Sequence, residues 1–334
     1  MATGDKAQGV FSGETSIRDF LDPSQAAPVP IVELPKHLNP FASEQVRIFA
    51  KPMYLTPLFN IKLYGAWNLL MQAKREGKLD GVHTLVENSS GNMALAESVI
   101  GRILGIDTMQ AIVPRDIAPG KLDLLRLFGV DPVLNSEKPG EQSGISRARE
   151  MGKVAGVFNP AQYENDANPS AYEQWLAPQI WQQLGRSMTL YCAGFGTTGT
   201  IVGSSRYFRR EAPSVKIVGV ACESDQPVPG VRSIARLKEI QFDWRSAVDE
   251  YVEVASKESF RKSLALCRTG IMGGPSSGFA LAGLLKFLDA QKENGALDAL
   301  RNKDGEVVAA FICPDSPLLY IDTYSTYLDP HDLA

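Results

Sequence analysis

The sequence has few cysteines, little excess charge and no long apolar run. Its four cysteines are widely spaced, with no CxxC pair and no histidine at ligand spacing, so neither a disulfide framework nor a metal site is predicted. A net charge of −4 argues against nucleic-acid binding, which needs clustered Lys and Arg. No segment has the roughly 20 apolar residues of a membrane span, and the first residues lack a signal-peptide pattern. These absences predict a cytoplasmic protein that binds a small molecule.

The length of the chain predicts two domains. A single hydrophobic core seldom organises more than about 250–300 residues, and this chain has 334. Its 44% hydrophobic and 22% charged residues are typical of a globular protein. The first 28 residues are polar and rich in Gly, Ser and Asp, which predicts a surface arm.

From residue 29 onward, short β-rich apolar runs alternate with amphipathic helical stretches. This alternation is typical of an α/β fold with parallel, twisted sheets flanked by helices. The strand-like runs are PIVEL, VRIFA, HTLVENS, TMQAIVP, DPVLN, MTLYCAG, KIVGVAC, EYVEV and VVAAFICPDS. The helix-like runs include residues 65–75, 92–104, 120–128, 178–184 and 276–288.

Three strand ends are followed by small polar residues and then by a helix, and ligands bind at such ends of parallel sheets. The first, Gly196-Thr197-Thr198-Gly199-Thr200, combines glycines, hydroxyls and a helix N-terminus, which predicts a site for one phosphate. It lacks the P-loop lysine and the GxGxxG order, which disfavours NTP and NAD. The alternative interpretation is a plain tight turn.

The other two segments also place hydroxyls at a helix start. Ser89-Ser90-Gly91-Asn92 could hold a substrate carboxylate, and a serine of Gly274-Pro275-Ser276-Ser277-Gly278 could bond the nitrogen of a bound heterocycle. Ordinary helix capping is the alternative for both.

Lys62 lies among apolar residues just before a helical stretch. Such neighbours favour the neutral amine, which can form an imine with an aldehyde. A lone lysine at a helix start is more commonly a solvated charge, so Lys62 needs the support of the other segments.

Taken together and in this order, the segments resemble the fold-type II pyridoxal-phosphate (PLP) enzymes, among them the cysteine synthase and cystathionine β-synthase family. The resemblance covers residues 30–320. The family's N-P-x-x-S-x-K segment matches Thr56–Lys62, and its T-S-G-N loop matches Ser89–Asn92. Its G-T-G-G-T cup matches Gly196–Thr200, and its G-x-S-S-G matches Gly274–Gly278.

The resemblance implies roles for individual residues. Lys62 would be the catalytic Schiff-base lysine, and Ser276 would face the ring nitrogen of PLP. A serine there, in place of an acidic residue, would leave that nitrogen largely unprotonated. The implied cofactor-binding residues are Lys62, Asn92, Gly196, Thr197, Thr198, Gly199, Thr200 and Ser276. The implied substrate-binding residues are Ser89, Ser90, Gly91, Asn92, Met93, Gln162 and Arg232.

Two further segments indicate which branch of this family the sequence resembles most. Residues 162–169 read Q-Y-E-N-D-A-N-P and resemble the Q-[FY]-x-N-x-A-N-P signature of the β-replacing synthases, which dehydratases lack. The string Pro229-Gly230-Val231-Arg232 replaces the family's G-I-G-A-G and resembles the branch that accepts O-phosphoserine or bulkier sulfur donors. Arg232 could pair with an anionic leaving group, or it could be a solvated loop arginine.

The sequence also departs from the family pattern. Thr56, Asn60 and Met93 stand where the family has Asn, Ser and Thr, which puts the substrate preference in doubt. In addition, Lys62-Leu63-Tyr64-Gly65-Ala66 resembles the dehydratase K-x-R-G-A as closely as the synthase K-D-R.

The implied enzyme is a cytoplasmic, homodimeric transferase or lyase of amino-acid biosynthesis. It would replace the β-substituent of O-phosphoserine or O-acetylserine through an aminoacrylate intermediate, giving L-cysteine or a related β-substituted alanine. Its partners would be the amino acid and a nucleophilic co-substrate, with no nucleic acid and no membrane. The implied fold is like that of the tryptophan synthase β-subunit. It would have a smaller mobile domain at 56–168, a larger cofactor-binding domain at 29–55 with 169–322, and an arm at 1–28.

Two alternatives stay open. A serine/threonine dehydratase or racemase of the same fold would turn over an unactivated amino acid without a second nucleophile. A non-catalytic homologue is compatible with the substitutions at Thr56, Asn60 and Met93, but retention of Lys62 and the phosphate cup argues against it.

Overall fold

The structure, a computed structural model, describes residues 9–117, 119–136 and 142–333. The chain divides into two compact units. Unit 1 consists of Met1–Ala27 and Lys62–Ala171, and unit 2 consists of Pro28–Ile61 and Tyr172–Ala334. Part of the predicted arm, residues 1–8, lies outside the described residues. The domain limits expected from the sequence stay a prediction.

Strands and helices alternate along most of the described chain. The strands are β1 Val32–Glu33, β2 Val46–Pro52, β3 Thr84–Asn88, β4 Thr108–Pro114, β5 Val130–Asn135, β6 Val157–Phe158, β7 Leu190–Gly194, β8 Lys216–Cys222, β9 Glu250–Val254 and β10 Val307–Cys313. The helices are α1 Ser16–Leu21, α2 Lys62–Arg75, α3 Asn92–Ile103, α4 Pro119–Leu127, α5 Gly144–Met151, α6 Ala167–Ala171, α7 Ala177–Gln183, α8 Gly199–Glu211, α9 Trp244–Ala247, α10 Ser256–Arg268, α11 Pro275–Glu293, α12 Ile321–Tyr327 and α13 Pro330–Leu333.

Unit 1 contains a four-stranded parallel sheet in the order β5-β4-β3-β6. Its central strands are buried, and Val86, Ile112 and Ala148 form a small apolar cluster between the sheet and α5. All the polar loops after these strands lie at one edge, because parallel strands end on the same side. The β3–α3 loop, with the predicted substrate residues, is therefore at a ligand-binding edge.

Unit 2 contains a six-stranded sheet in the order β1-β2-β10-β7-β8-β9. Neighbouring strands from β2 to β9 in this order are parallel, while the two-residue edge strand β1 is antiparallel to β2. The predicted α/β class with parallel sheets flanked by helices is confirmed, with β1 as the exception.

The core of unit 2 forms where α11 packs against the sheet. Every residue of β10 is buried, as its continuous VVAAFIC run predicts for a strand covered on both faces. Glycines bring α11 close to its neighbours. A Cβ at Gly283 would lie 2.4 Å from the Val220 side chain, and one at Gly278 would lie 2.1 Å from Ser259 O on α10. This packing fixes the N-terminus of α11, which begins with Pro275 in the first turn.

One buried side chain in unit 2 is unexpected. Lys51 of β2 is fully buried, and its Nζ donates to Val29 O, Gln179 Oε1 and Gln183 Oε1. Burial disfavours the charged ammonium and lowers the pKa of Lys51 to about 7. Through these three hydrogen bonds, Lys51 connects β2 to α7 and to the segment before β1.

Helix length and hydropathy bear on the membrane prediction. Within the described parts of the chain, no helix is long and apolar enough to cross a membrane.

Candidate active site

The predicted phosphate cup lies between β7 and α8 in unit 2. Thr198 has a left-handed backbone, with φ of 63°, and directly precedes the thirteen-residue helix α8. This turn leaves the first N–H groups of α8 directed out of the helix end, where they favour an anion. Thr198 Oγ1 is buried, and no hydrogen-bond partner for it exists among the described residues. A buried hydroxyl with no hydrogen-bond partner suits a phosphate site, because it can donate to an oxygen of the bound phosphate.

A second segment packs against this cup. A Cβ at Gly196 would lie 2.6 Å from Gly230 O, so the two backbones are in close approach. Arg232 N donates to Phe195 O at 2.6 Å, and Arg232 O accepts from Cys222 N. The backbone of the Pro229–Arg236 segment is thereby held beside the cup. The Arg232 side chain is half-buried, and its Nη1 lies 3.4 Å from Arg236 O.

Ser276 lies in the first turn of α11, also in unit 2. Its hydroxyl donates to Asp315 Oδ1 at 3.3 Å, and Tyr320 OH donates to Asp315 Oδ2 at 2.6 Å. All three side chains are buried. The predicted phosphate residues, Arg232 and Ser276 thus all lie in unit 2, and Ser276 has a neighbour, Asp315, that was not predicted as a site residue.

The predicted carboxylate-binding loop connects β3 to α3 in unit 1. Ser89 Oγ accepts long hydrogen bonds, both at 3.4 Å, from Gly91 N and Ala94 N. Asn92 is the first residue of α3, so the loop leads directly into a helix N-terminus, whose partial positive charge favours an anion. The next residue, Met93, is buried with 2% of its surface exposed, and packs into the unit.

The Q-Y-E-N-D-A-N-P segment fixes the residue before this loop. Gln162 Nε2 and Tyr163 OH both donate to Asn88 O, at 3.1 and 3.0 Å. Asn168 Nδ2 in turn donates to Gln162 O at 2.7 Å. Gln162 itself is buried. Two predicted site segments that are far apart in sequence are therefore joined through the Asn88 carbonyl in unit 1.

A pair of buried carboxyl groups underlies the same loop. Glu87 accepts hydrogen bonds from Asn88 N at 2.8 Å and from Gln162 N at 2.9 Å. Burial outweighs these bonds and raises the pKa of Glu87 to about 7. Glu97 of α3 is fully buried, and neither of its carboxyl oxygens has a hydrogen-bond partner among the described residues. Burial and then the charge of Glu87 raise the pKa of Glu97 well above its ordinary value of 4.5.

Lys62 begins α2 and is half-buried between Ile61 and Leu63, which are buried. The preceding turn explains two departures from the family pattern. Thr56 Oγ1 lies 2.8 Å from Asn60 O and 2.9 Å from Met53 O, and Asn60 Nδ2 donates to Leu58 O. Thr56 and Asn60 thus close the turn before Lys62. A hydrogen bond from Ile61 N to Pro314 O also holds this turn.

Comparison with known proteins decides the family. The family model described as "Pyridoxal-phosphate dependent enzyme" matches residues 24–299 of this chain. The chain belongs to this family. Cysteine synthase B of Escherichia coli (strain K12) is 31% identical over 264 residues, which cover 77% of this chain and 81% of that protein. This PLP-dependent enzyme is therefore a member of the cysteine synthase group, and it is a transferase or lyase.

Solved structures of the same fold agree with the family. O-acetylserine dependent cystathionine β-synthase from Helicobacter pylori has a TM-score of 0.74 and 24% identity, and covers 90% of this chain and 96% of that one. O-ureido-L-serine synthase has a TM-score of 0.75 and 22% identity, with 93% and 96% covered. The predicted fold type and the predicted cofactor, PLP, are confirmed. The cysteine synthase relatives support β-replacement on serine derivatives as the coarse reaction class.

Proposed function

We propose that this enzyme replaces the β-substituent of O-phosphoserine or O-acetylserine with a second nucleophile, giving L-cysteine or a related β-substituted alanine. The observation that best supports this reaction is the pair of hydrogen bonds that Gln162 and Tyr163 donate to the Asn88 carbonyl. The segment that resembles the β-replacing synthases thus holds the residue just before the loop that would bind the substrate carboxylate. The relative named cysteine synthase B and the solved structure named as an O-acetylserine dependent cystathionine β-synthase support the same reaction class.

In unit 1, the chain's own groups would bind the amino acid and move its proton. Ser89, Ser90 and the first N–H groups of α3 would hold the substrate carboxylate, which the positive end of the helix favours. Lys62 would carry PLP, then take the α-proton as general base and return it at the end of the reaction. Bound PLP supplies the electron sink that makes this proton acidic.

In unit 2, the cup would bind the cofactor phosphate through Thr197, Thr198 and the backbone of Gly199. The orphaned Thr198 hydroxyl gives this assignment its support. Arg232, whose backbone is anchored beside the cup, would pair with an anionic leaving group through its planar guanidinium. The phosphate ester of O-phosphoserine is already an anion in the bound substrate, whereas the acetyl ester of O-acetylserine is neutral until acetate departs.

The visible spectrum of the purified protein tests the proposed reaction. O-phosphoserine, O-acetylserine, serine and threonine would each be added without a nucleophile. The expected result is that the yellow cofactor band shifts with one of the two activated serines and stays unchanged with serine and threonine. A band that is unmoved by both activated serines and bleached by plain serine or threonine would establish a dehydratase instead.

Arg232→Ala is expected to discriminate between the two activated serines. Losing a charge-assisted hydrogen bond of roughly 1.5–3 kcal/mol lowers kcat/KM for O-phosphoserine about 10- to 100-fold. The loss for O-acetylserine should be smaller, because its acetyl ester carries no charge in the bound substrate and becomes anionic only as it departs. The matched control is Arg236→Ala, an exposed arginine of the same segment whose backbone carbonyl is retained. Equal losses for both substrates in Arg232→Ala would refute a role in recognising the leaving group.

A further inference from the structure

A chain of hydrogen bonds links α12 to the turn before α11 in unit 2. Tyr324 OH of α12 lies 2.5 Å from Ser263 Oγ of α10, and Ser263 Oγ donates to Gly273 O at 2.7 Å. Because a carbonyl oxygen only accepts and a serine hydroxyl has one proton, Ser263 must accept from Tyr324. Desolvation raises the pKa of Tyr324 above its ordinary value, so its hydroxyl keeps the proton that it donates.

The serine of this chain is enclosed between α10 and α11. Ser263 is 0% exposed, and a Cβ at Gly278 would lie 2.2 Å from Ser263 N, so the two helices are in close contact there. A second donor to Gly273 O, Cys267 Sγ at 3.4 Å, is a weak one. Ser263 therefore provides the stronger hydrogen bond to this carbonyl. Gly273 is buried, so leaving its carbonyl without that bond would be costly.

Gly273 is part of the turn that leads into α11 and carries Ser276. A Cβ at Gly273 would lie 2.7 Å from the Cβ of Ser277, so this backbone is in close contact with the first turn of the helix. Gly274 N donates to Asp315 O at 2.9 Å, and Ser277 N donates to Gly274 O at 2.8 Å. A rotation of the Gly273 peptide would disturb all these contacts and would displace Ser276.

Aromatic contacts around Phe260 hold α12 on α10. The ring of Tyr324 meets the Phe260 ring edge-on, with 5.0 Å between centroids, and the ring of Tyr327 stacks on Phe260 at 4.5 Å. Beyond α12, Asp329 pairs with Lys257 at the start of α10. These contacts fix the Tyr324 ring in the folded protein, so its hydroxyl loses little further freedom when it donates.

We propose that Tyr324 is a positioning residue of the cofactor site, which acts through Ser263 and the Gly273 carbonyl to hold the turn that carries Ser276. The proposal rests on the PLP dependence of the family and on the proposed placement of Ser276 at the ring nitrogen of PLP. Affinity for PLP falls with the fraction of molecules in which this turn is in place. Helix α12 thereby contributes to cofactor binding, although it lies outside the sequence motifs of the family.

Hydrogen exchange of the holoenzyme, read by mass spectrometry, tests the effect on the turn. Tyr324→Phe removes the hydroxyl and keeps the ring against Phe260. The peptide 271–277 should exchange about 2- to 10-fold faster, the effect of losing one hydrogen bond between neutral groups. The matched control is Tyr327→Phe, the same substitution on the same helix against the same Phe260 ring, which should leave this peptide unchanged. Unchanged exchange in Tyr324→Phe, or an equal increase in Tyr327→Phe, would overturn the proposal.

Release of PLP from the holoenzyme tests the link to the cofactor. The loss of the visible cofactor band after dilution gives the rate, and no amino acid is added. Tyr324→Phe should release PLP about 2- to 10-fold faster than the wild type, and Ser263→Ala at least as fast as Tyr324→Phe. Tyr327→Phe should release it at the wild-type rate. A Tyr324→Phe enzyme with faster exchange but an unchanged release rate would show a purely structural role and contradict the proposal.

A double variant decides whether Tyr324 acts through Ser263. In Ser263→Ala the tyrosine has no hydroxyl to which it can donate, so adding Tyr324→Phe should change neither exchange nor release further. Equal effects of Tyr324→Phe in both backgrounds would show that it acts by another route. Because no amino acid is added, failure here would leave the proposed reaction untouched, and failure of the donor titration would leave these results standing.

Discussion

Replacement of Lys62 by alanine is expected to abolish turnover and the covalent attachment of PLP. General acid–base catalysis by one positioned group contributes about 10²–10⁴-fold, and Lys62 would serve as both base and acid. The loss in kcat should therefore be at least of this size. The matched control is Lys74→Ala, an exposed lysine on the same helix α2, which should keep full activity.

The site of attachment can be mapped independently of turnover. Borohydride reduction of the holoenzyme followed by peptide mass analysis should place the cofactor on Lys62. Lys51 is the instructive rival, because burial lowers its pKa to about 7 and thus favours the nucleophilic amine. Its Nζ, however, is fully buried and already bonded to three oxygen atoms. Label on Lys51, or activity retained in Lys62→Ala, would show that Lys62 is not the catalytic lysine.

Substitutions of Glu97 are expected to stabilise the protein, increasingly so as the pH rises. The pKa of Glu97 is raised by burial, so above pH 4.5 the folded protein retains a proton that the unfolded chain releases. The stabilising contribution of this proton is complete below pH 4.5 and is lost as the pH rises toward the folded pKa. For each proton retained, the free energy of unfolding falls by about 1.4 kcal/mol per pH unit.

Glu97→Gln removes the titration at nearly constant volume, and Glu97→Leu also removes the buried polar atoms. Urea unfolding between about pH 5.5 and 8.5 should show that both variants gain on the wild type by up to about 1.4 kcal/mol per pH unit. The leucine variant should be the more stable, since it buries no unsatisfied oxygen. Glu150→Gln, an exposed glutamate of the same unit, should show no such trend. A difference independent of pH would mean that Glu97 is ionised in the folded protein.

Much of the fold followed from local patterns in the sequence. Each of the nine predicted strand-like runs contains a strand, including β1, which is exposed, and β9, which is mostly exposed. The two-residue strand β6 could not be predicted, since Val157 and Phe158 become a strand only by pairing with β3. Helices such as α5 and α10 were also missed, although Ser143 caps α5 through the Ser146 N–H.

The candidate site, like the fold, could be predicted only where its features are local in sequence. The positions of the motifs could be predicted because each motif is local in sequence. The surroundings of Asp315, Glu87 and Glu97, in contrast, depend on contacts between segments that are far apart in sequence. Asp315 is the second-last residue of the run VVAAFICPDS, so the rule that ligands bind at carboxyl ends of parallel strands could have marked it. For Glu97, a charged residue within the apolar face of α3 was the available signal. The role of Lys51 depends on Val29, Gln179 and Gln183, and no local pattern predicts that set.

The strand order of unit 2 has a consequence for how the chain folds. Strand β2 lies between β1 and β10, and Val46 pairs with Val307. This sheet therefore joins segments that are far apart in sequence, and such non-local contacts raise the contact order and slow folding. On the ribosome, β2 must wait for β10, while residues 62–171 of unit 1 emerge as one continuous stretch that can fold first. Until β10 arrives, β2 has an unpaired edge, and chaperone contact is expected to be most needed there.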